Sequence, residues 1–533
     1  MNRILALVVA LCLLCLGFAF GEEYAISDIS VYGEYEPDLN RVFYEIFVGS
    51  FSDSDGDGTG DLRGIINRLD YLNDSNPSSG LSLGVEGIWL TPIFASNSYH
   101  KYDVKDYYSI DPDFGTMEDL CALIEACHAR GMYVILDLVL NHTSSQNAWF
   151  KNFINAHVLH NTQNIYYDFY TWLDADEPTP AGRTFKVNET AGIKYECNFD
   201  SGMPELNYDN PLVREKMLDV AKYYIDLGID GFRFDAAKYI YYGDTEKNVE
   251  FWQWYIGELK QLNPDIYTVA EVWDSDGITD RYTPALNCFN FTASQSDGIL
   301  AIAAKGGNVN KLTSYVESYI LRVKSLNSDA MNLMFLSNHD MDRAAGYLTP
   351  SSGNAYTAAS LYILSPGSPF IYYGEEIGMK GSRGGASTDA NRRLAMLWGD
   401  GDSVKNPIGA TYTADKQTSG TVREQISDEY SLYNHYKRLI MIRNANPEIA
   451  RGEYKALCFQ NTNVGGFTAT WQGSTVAVIH NTTSSVQTVD LASVTDVAFN
   501  LIAACAGTSS ESPTLTSTTL TIPEQTTVVL RCE

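Results

Sequence analysis

Basic residues are scarce in this chain of 533 residues, in which 37 Lys and Arg stand against 66 Asp and Glu and give a formal net charge of −29. A phosphate backbone or an anionic membrane surface would repel such a chain, which argues against nucleic acid and membranes as partners. A neutral ligand such as a sugar meets no repulsion of this kind. The chain is 45% hydrophobic and 19% charged, which is typical of a globular protein with two or three domains.

Cysteine is also sparse and follows no pattern. Seven of the nine cysteines lie outside the N-terminal apolar run, and they are widely scattered. An odd, scattered set is neither a disulfide framework nor a zinc-binding pattern. Cys505 and Cys532 could pair near the C-terminus, whereas a reducing habitat would leave every cysteine as a thiol.

Long apolar runs are absent except at the N-terminus, where Ile4 to Phe20 follow Arg3. The positive start, the apolar run and the small residue Gly21 are typical of a secretory signal peptide. Residues 1–21 are therefore predicted to be the signal peptide of an extracellular protein, with cell-surface and periplasmic locations as alternatives. The run is at the short edge for a bilayer span, so membrane attachment is expected only if this leader stays uncleaved.

Strand and helix signals alternate through most of the remaining chain. One helix begins at the capping box Thr116–Asp119 and ends at Gly131, and the apolar run Tyr133–Asp137 that follows is typical of a buried parallel strand. This alternation predicts an α/β protein in which residues 22–450 form a (β/α)8 TIM barrel. The predicted strands are residues 42–48, 87–90, 133–137, 231–235, 266–272, 286–291, 332–337 and 369–373.

Two regions break the alternation. Residues 143–207 follow the third strand, are polar and irregular, and are too long for a simple loop, so they are predicted to form an inserted domain B. After Pro447 the helical signals vanish, and short Thr- and Val-rich runs predict a C-terminal antiparallel β-sandwich over residues 451–533.

Four segments end predicted strands with charged or hydrogen-bonding groups. They are Asp137–His142, Gly231–Asp235, Glu271–Trp273 and Phe335–Asp340. Because the C-terminal ends of barrel strands share one face, these segments predict one site that includes three carboxylates, two histidines and an arginine. Rim salt bridges would explain any one segment, but four together indicate a functional site, since buried uncompensated carboxylates are costly.

Such a set suits acid-catalysed cleavage of a glycosidic bond, which with retention needs a carboxylate nucleophile and a protonated acid about 5–5.5 Å apart. Asp235 lies on the same strand face as Arg233, whose guanidinium is predicted to favour the charged form that suits a nucleophile. Glu271 is followed by Val272 and Trp273, and apolar surroundings raise a carboxyl pKa, which suits a general acid. Asp340 is predicted to bind sugar hydroxyls in the transition state.

The four segments resemble, in order, the four signature regions of the α-amylase family, glycoside hydrolase family 13. The resemblance implies that Asp235 is the nucleophile, Glu271 the general acid/base and Asp340 the transition-state stabiliser. It also implies a barrel with domain B after the third strand and a C-terminal β-sandwich. Further residues are identified by the resemblance as contacts to the sugar at or near the cleaved bond: His100, Tyr102, His142, Arg233, Lys238, His339, Asp389 and Arg393. Lys238 is followed by Tyr239, where the family usually has His.

The acidic segment Asp53–Asp61 is a separate signal. Its carboxylates at positions 1, 3, 5 and 9 match the first part of an EF-hand loop, although Gly64 stands where the bidentate Glu is expected. Carboxylates this close would repel each other without a cation, and the family has a structural calcium in an equivalent loop. The predicted Ca2+ ligands are Asp53, Asp55, Asp57, Thr59 and Asp61, and Asn141 matches a ligand of the family's second calcium, at the domain B boundary.

The resemblance implies a retaining hydrolase of α-1,4-glucosidic bonds in starch and maltodextrins, expected to be a monomer. Ala236, after the nucleophile, resembles α-1,4-acting members, since α-1,6-glucosidases tend to carry Val there. The segment Met203–Asn207 lies between neopullulanase-like and oligo-1,6-glucosidase-like forms, so neopullulanase, cyclodextrinase or oligo-1,6-glucosidase activity is the alternative. Transglycosylation and a non-catalytic carbohydrate-binding relative are the remaining hypotheses.

Overall fold

The computed structural model describes residues 40–76, 79–384 and 389–532, so the predicted signal peptide lies outside the described residues. The strands are β1 Phe43–Ile46, β2 Gly87–Leu90, β3 Phe94–Ser96, β4 Val104–Ile110, β5 Tyr133–Leu138, β6 Trp172–Asp174, β7 Phe185–Asn188, β8 Ile193–Glu196, β9 Gly231–Phe234, β10 Tyr267–Ala270, β11 Phe370–Tyr372, β12 Glu453–Cys458, β13 Val464–Trp471, β14 Ser474–Asn481, β15 Gln487–Asp490, β16 Leu501–Gly507, β17 Thr514–Thr516, β18 Thr519–Ile522 and β19 Thr526–Arg531.

The helices alternate with the first of these strands and cover the barrel. They are α1 Leu62–Asn67, α2 Leu69–Leu72, α3 Met117–His128, α4 Ala148–Val158, α5 Pro211–Asp226, α6 Thr245–Leu262, α7 Asp276–Tyr282, α8 Ile299–Ala304, α9 Val309–Leu326, α10 Asn354–Ile363, α11 Val422–Ile426, α12 Leu432–Ala445 and α13 Pro447–Arg451. Helix α3 begins with the predicted capping box, in which Thr116 and Asp119 bond each other's backbone amides. Over the described ranges, no helix combines the length and hydropathy needed to cross a membrane.

Six strands form one parallel sheet in the order β10-β9-β5-β2-β1-β11. Isolated parallel bridges continue it through Ala270–Cys288, Phe289–Leu333 and Phe335–Phe370, which closes the ring. This arrangement confirms the predicted (β/α)8 barrel.

The predicted strands at residues 286–291 and 332–337 are wrong as continuous strands, since only these single bridges remain. One amide next to these segments bonds a side chain in place of a backbone carbonyl, because the Met331 amide donates to Asn287 Oδ1 at 3.0 Å.

The barrel interior is packed with large apolar side chains, among them Phe43, Trp89 and Ile135. Side chains alternate between the two faces of a strand, so the residue two positions later points inward as well. Glu45 lies two residues after Phe43, and Asp137 lies two residues after Ile135. The same alternation that fills the core therefore delivers carboxylates to the C-terminal end of the barrel.

The insert between β5 and α5 carries helix α4 and a small antiparallel sheet in the order β6-β8-β7. A bridge between His142 and Glu205 joins it to the end of the third barrel strand. The C-terminal segment forms two antiparallel sheets, one of five strands in the order β12-β13-β14-β19-β16 and one of three in the order β15-β18-β17.

Two smaller expectations need correction. Helical structure continues past Pro447, because proline is well suited to the first position of helix α13. Cys505 and Cys532 do not pair, and all seven cysteines of the described chain are free thiols.

Candidate active site

Arg233 lies at the centre of the candidate site and is fully buried. Its Nη1 atom is 2.9 and 3.0 Å from the two oxygens of Asp137 and 2.8 Å from Asp235 Oδ1, while Nη2 contacts Glu271 Oε2. The rigid fork of one guanidinium therefore holds three carboxylates from three neighbouring strands. The structure brings Asp235 and Glu271 together, as the sequence predicts.

A sharp turn follows Asp235. Ala236 has φ +49°, a left-handed conformation that costs a non-glycine residue about 1–3 kcal/mol. The turn is fixed by the neighbouring strand, because the Glu271 amide donates to Phe234 O at 3.0 Å and the Ala237 amide donates to Glu271 O at 3.1 Å. These backbone hydrogen bonds therefore place the carboxylates of Asp235 and Glu271 at the same level along the barrel axis, at one end of the barrel.

Burial raises the pKa of Asp235 to about 6 and that of Glu271 to about 7. The positive charge of Arg233 lowers both pKa values, whereas the negative charge of Asp340 raises them. The predicted contact between Arg233 and Asp235 exists, and Arg233 lowers the pKa of Asp235 as predicted, but desolvation outweighs the guanidinium and the net pKa is raised. The expected rise for Glu271 agrees with the structure.

At Asp340 the neighbouring positive charges outweigh burial, so the pKa is lowered and not raised. Burial favours its neutral form, but His339 and then Arg393 hold its pKa well below the usual range. Its two oxygens are 3.1 Å from His339 Nε2 and 2.7 Å from Arg393 Nη2. Asp340 is therefore a permanent anion at the edge of the site.

His339 is a buried cation. Burial alone would lower its pKa, but Asp340 and Glu45 together raise it to about 10. Glu45 Oε1 lies 2.5 Å from Nδ1, and the Tyr102 hydroxyl lies 2.6 Å from Nε2. Tyr102 in turn donates to Asp137 at 2.9 Å, which links it to the carboxylates held by Arg233.

The other two predicted histidines are neutral, because burial lowers the pKa of His100 and of His142 to about 4. The Tyr102 amide donates to His100 Nδ1 at 3.2 Å, and Asn141 Nδ2 lies 3.3 Å from His142 Nδ1. Acceptance at Nδ1 places the proton of His100 on Nε2. His142 Nε2 is buried and has no hydrogen-bond partner among the described residues, so it is available to a ligand.

The remaining predicted contacts lie around this group. Asp389 Oδ1 accepts from Arg392 Nη1 at 2.9 Å, and its other oxygen is 3.8 Å from Arg393. Lys238 Nζ donates to Trp273 O at 2.8 Å, directly beyond Glu271.

Tyr239, in the position where His is usual, packs its ring edge-on against Phe199 of the insert at 5.2 Å. An aromatic contact from domain B thus borders the site on the side of Lys238.

Sequence analysis missed some residues of the site. Glu45, Arg392 and Tyr99 had been assigned no role, and Asp137 had been named only as a strand end. Tyr99 contacts Arg393 Nη1 at 3.1 Å, and Arg392 Nη1 donates to Asp340 O at 2.6 Å. Only Glu45 had a usable signal, namely a charged residue at an inward position of an otherwise apolar strand.

The acidic loop after β1 places Asp53, Asp55 and Asp61 so that one carboxylate oxygen from each lies within 4.8 Å of the others. Asp53 is oriented by backbone amides of its own loop, and oxygen ligands of this kind suit Ca2+. Asp57 is not part of this group, and its Oδ1 accepts from the Thr59 amide at 2.6 Å. The roles of Asp57, Thr59 and Asn141 as ligands stay predictions.

Comparison with known proteins agrees with this geometry. A model of the alpha-amylase catalytic domain matches residues 45–452. The chain is 37% identical over 456 residues to alpha-amylase 3 of Dictyoglomus thermophilum, covering 85% of this chain and 86% of that protein. It is 30% identical over 449 residues to 4-alpha-glucanotransferase of Thermotoga neapolitana, covering 82% and 95%. The solved structure of Amy13B of Eubacterium rectale superposes with a TM-score of 0.87 at 32% identity, covering 96% and 99%.

Proposed function

Since the chain belongs to the alpha-amylase family of glycoside hydrolases and transferases, we propose that it is a secreted, retaining enzyme that cleaves α-1,4-glucosidic bonds in starch and maltodextrins. The observation that carries the proposal is the shared guanidinium of Arg233, which contacts Asp235 on one side and Glu271 on the other. Two carboxyl groups that share one guanidinium are close together, as the pairing of a nucleophile and an acid across one glycosidic bond requires.

The two carboxyl groups take different roles because their pKa values differ. Glu271, with the higher pKa, donates its proton to the glycosidic oxygen as the bond to the anomeric carbon breaks. Asp235, with the lower pKa, attacks that carbon and forms a glycosyl ester. Glu271, now ionised, takes a proton from water, whose oxygen displaces Asp235 and restores both groups.

The surrounding residues hold the sugar as its ring gains positive charge. Asp340 accepts hydrogen bonds from sugar hydroxyls, and its anionic state is maintained by His339 and Arg393. His142 Nε2, which has no partner among the described residues, donates a hydrogen bond to a sugar oxygen. These contacts strengthen as the oxocarbenium-like state forms, which lowers the barrier.

The preference for α-1,4 bonds rests on Ala236, the residue after Asp235, because it resembles the α-1,4-acting members of the family rather than the α-1,6-glucosidases, which tend to carry Val there. A product profile on amylose, pullulan and panose, followed over time, tests it. Release of reducing ends from amylose with retained configuration is expected. Faster cleavage of panose than of amylose would instead favour the oligo-1,6-glucosidase alternative.

Transfer is the second candidate, because a relative of 30% identity is a 4-alpha-glucanotransferase. Water and sugar hydroxyls compete for the same glycosyl-enzyme. Oligosaccharides longer than the starting maltodextrin, appearing before reducing ends accumulate, would identify transfer as the main reaction.

Calcium and export complete the proposal. Asp53, Asp55 and Asp61 would hold one Ca2+ that fixes the loop after β1 and takes no part in bond cleavage. Export rests on the leader-like residues 1–21, and N-terminal sequencing of extracellular protein tests it. We expect a monomer, which size-exclusion chromatography with light scattering checks.

A further inference from the structure

Arg343 is a buried arginine that lies three residues after Asp340 in the chain. It is 1% exposed, and it forms no ion pair with any residue of the described ranges. Burying a charge without an opposite charge beside it is costly, so the contacts that Arg343 makes instead need a reason.

The Arg343 guanidinium joins two segments of backbone. Its Nε atom donates to Arg392 O at 2.9 Å, and its Nη1 atom donates to Tyr373 O at 2.6 Å. The guanidinium also lies over the rings of Tyr372 and Tyr373, 4.3 and 4.5 Å from their centroids. Tyr373 directly follows strand β11, whereas Arg392 ends the short helical turn Asp389–Arg392. One rigid fork therefore ties that turn to the end of the last barrel strand.

Two tyrosine hydroxyls hold the same turn. The Tyr372 hydroxyl donates to Arg392 O at 3.0 Å, so this carbonyl accepts two side-chain hydrogen bonds. The Tyr373 hydroxyl donates to Leu394 O at 2.6 Å. The carbonyls on either side of Arg393 are therefore both fixed by residues at the end of β11.

Fixing this turn fixes the cations that meet Asp340. Arg393 Nη2 lies 2.7 Å from Asp340 Oδ1, and Arg393 Nε donates to His339 O at 3.0 Å. Arg392 Nη1 donates to Asp340 O at 2.6 Å. Arg343 makes no hydrogen bond to Asp340 within the described chain, so its effect on that carboxylate passes through Arg392 and Arg393.

The segment that carries Arg343 and the turn that it holds are also in close backbone contact. The Arg343 amide donates to Gly381 O at 2.9 Å. A Cβ atom on Gly381 would lie 2.1 Å from Asn391 O, so only glycine fits there. The backbones therefore leave no slack, and a change in the Arg343 contacts is passed on to the turn.

We propose that Arg343 is a positioning residue, which holds the Asp389–Arg392 turn so that Arg393 meets Asp340 in the geometry that the charged transition state needs. The inference rests on the proposed function, in which Asp340 bonds the sugar. Lysine cannot replace Arg343, because a single ammonium on a flexible stem does not reproduce a planar fork that reaches two carbonyls in fixed directions.

The test is a double-variant cycle that combines Arg343→Lys with Asp340→Asn and measures kcat/KM on α-glucosyl fluoride. We expect Arg343→Lys alone to lose roughly 10- to 100-fold, chiefly in kcat, since the contacts of Asp340 matter most in the transition state. In the Asp340→Asn background the same change should cost less than about 3-fold, because the carboxylate through which it acts is gone.

Arg443→Lys is the matched control, since Arg443 is equally buried and also donates to backbone carbonyls, those of Ile363, Ser365 and Gly367. It should lower the Tm and leave kcat/KM of the folded protein at the wild-type value in either background. If Arg343→Lys does not fold, Tyr372→Phe removes the other hydrogen bond to Arg392 O and should show a smaller loss with the same dependence on Asp340.

Equal losses in the two backgrounds would overturn the proposal, because they would show a general defect of the barrel. A wild-type kcat/KM in Arg343→Lys would overturn it as well.

Failure of the proposed function has a different signature. The same cycle is measured without turnover from the calorimetric Kd of 1-deoxynojirimycin, a cationic analogue of glucose. Losses of affinity that depend on Asp340, in a protein that releases no product from starch or from the fluoride, would keep the positioning role and remove the enzyme assignment. A wild type that neither turns over the fluoride nor binds the analogue would overturn both.

Discussion

Glu45 and His339, which are 294 positions apart in the chain, meet inside the barrel with Glu45 Oε1 2.5 Å from His339 Nδ1. The contact joins the first strand to the segment that carries Asp340. Because Glu45 and Asp340 both face the imidazole, His339 stays protonated and keeps Asp340 ionised. Glu45 thus sets the charge of two residues that we propose bind the sugar.

The first prediction removes the charge of Glu45 and keeps its shape. Glu45→Gln should lower the pKa of His339 from about 10 and reduce kcat/KM on maltodextrin by roughly 10-fold, because the hydrogen bond to Asp340 weakens. The activity should also fall more steeply above neutral pH, which a purely structural loss would not produce. Glu118→Gln, an exposed change in helix α3, serves as the control. A pH profile of Glu45→Gln that matches the wild type would contradict the role of Glu45 in keeping His339 charged.

The second prediction separates the two carboxylate roles. Asp235→Ala should lower kcat on starch by about four orders of magnitude or more, since no glycosyl ester can form. Glu271→Gln should be equally poor on starch but should retain much more activity on a glucosyl fluoride, whose leaving group needs no proton.

If the roles were exchanged, Asp235→Ala would be the variant that the activated substrate rescues. Circular dichroism and thermal unfolding of both variants check that the fold is intact.

The third prediction concerns pH. Activity needs Asp235 ionised and Glu271 protonated, so kcat/KM should fall below about pH 6 and above about pH 7. Asp235 and Glu271 interact through Arg233, so the acid and alkaline limbs of the pH profile report pKa values that belong to the pair and not to either residue alone. In Glu271→Gln with a glucosyl fluoride, the alkaline limb should disappear and the acid limb remain. A profile that stays flat from pH 5 to pH 9 would contradict the assignment.

The fourth prediction tests calcium. A chelator should lower the Tm of the wild type, because a ligand present at 100 times its Kd stabilises the folded state by about 2.7 kcal/mol. Asp55→Asn should lose most of this response, since Asp55 belongs to the group of three carboxylates. Asp57→Asn is the matched variant in the same loop and should respond like the wild type. An equal loss in both variants would make Asp57 a ligand after all, as the loop pattern suggests.

Much of the site could be predicted because it depends on local rules. Strand alternation places Arg233 and Asp235 on one face, and parallel strands that end at one face of a barrel bring Glu271 beside them. The Thr116 capping box is likewise local, and it is observed. The strands predicted near residues 288 and 333 are reduced to single bridges in the structure, which the apolar pattern along the chain does not show.

The sequence by itself determined the order of strands and helices, the carboxylates at the strand ends and the acidic loop, since each follows from spacing along a few residues. Only the tertiary structure decided that burial outweighs Arg233 at Asp235, that Glu45 keeps His339 charged, and that Arg343 bonds Arg392 O. The physical reason is that desolvation and Coulomb energies depend on which distant segments surround a group, and spacing along the chain does not encode that.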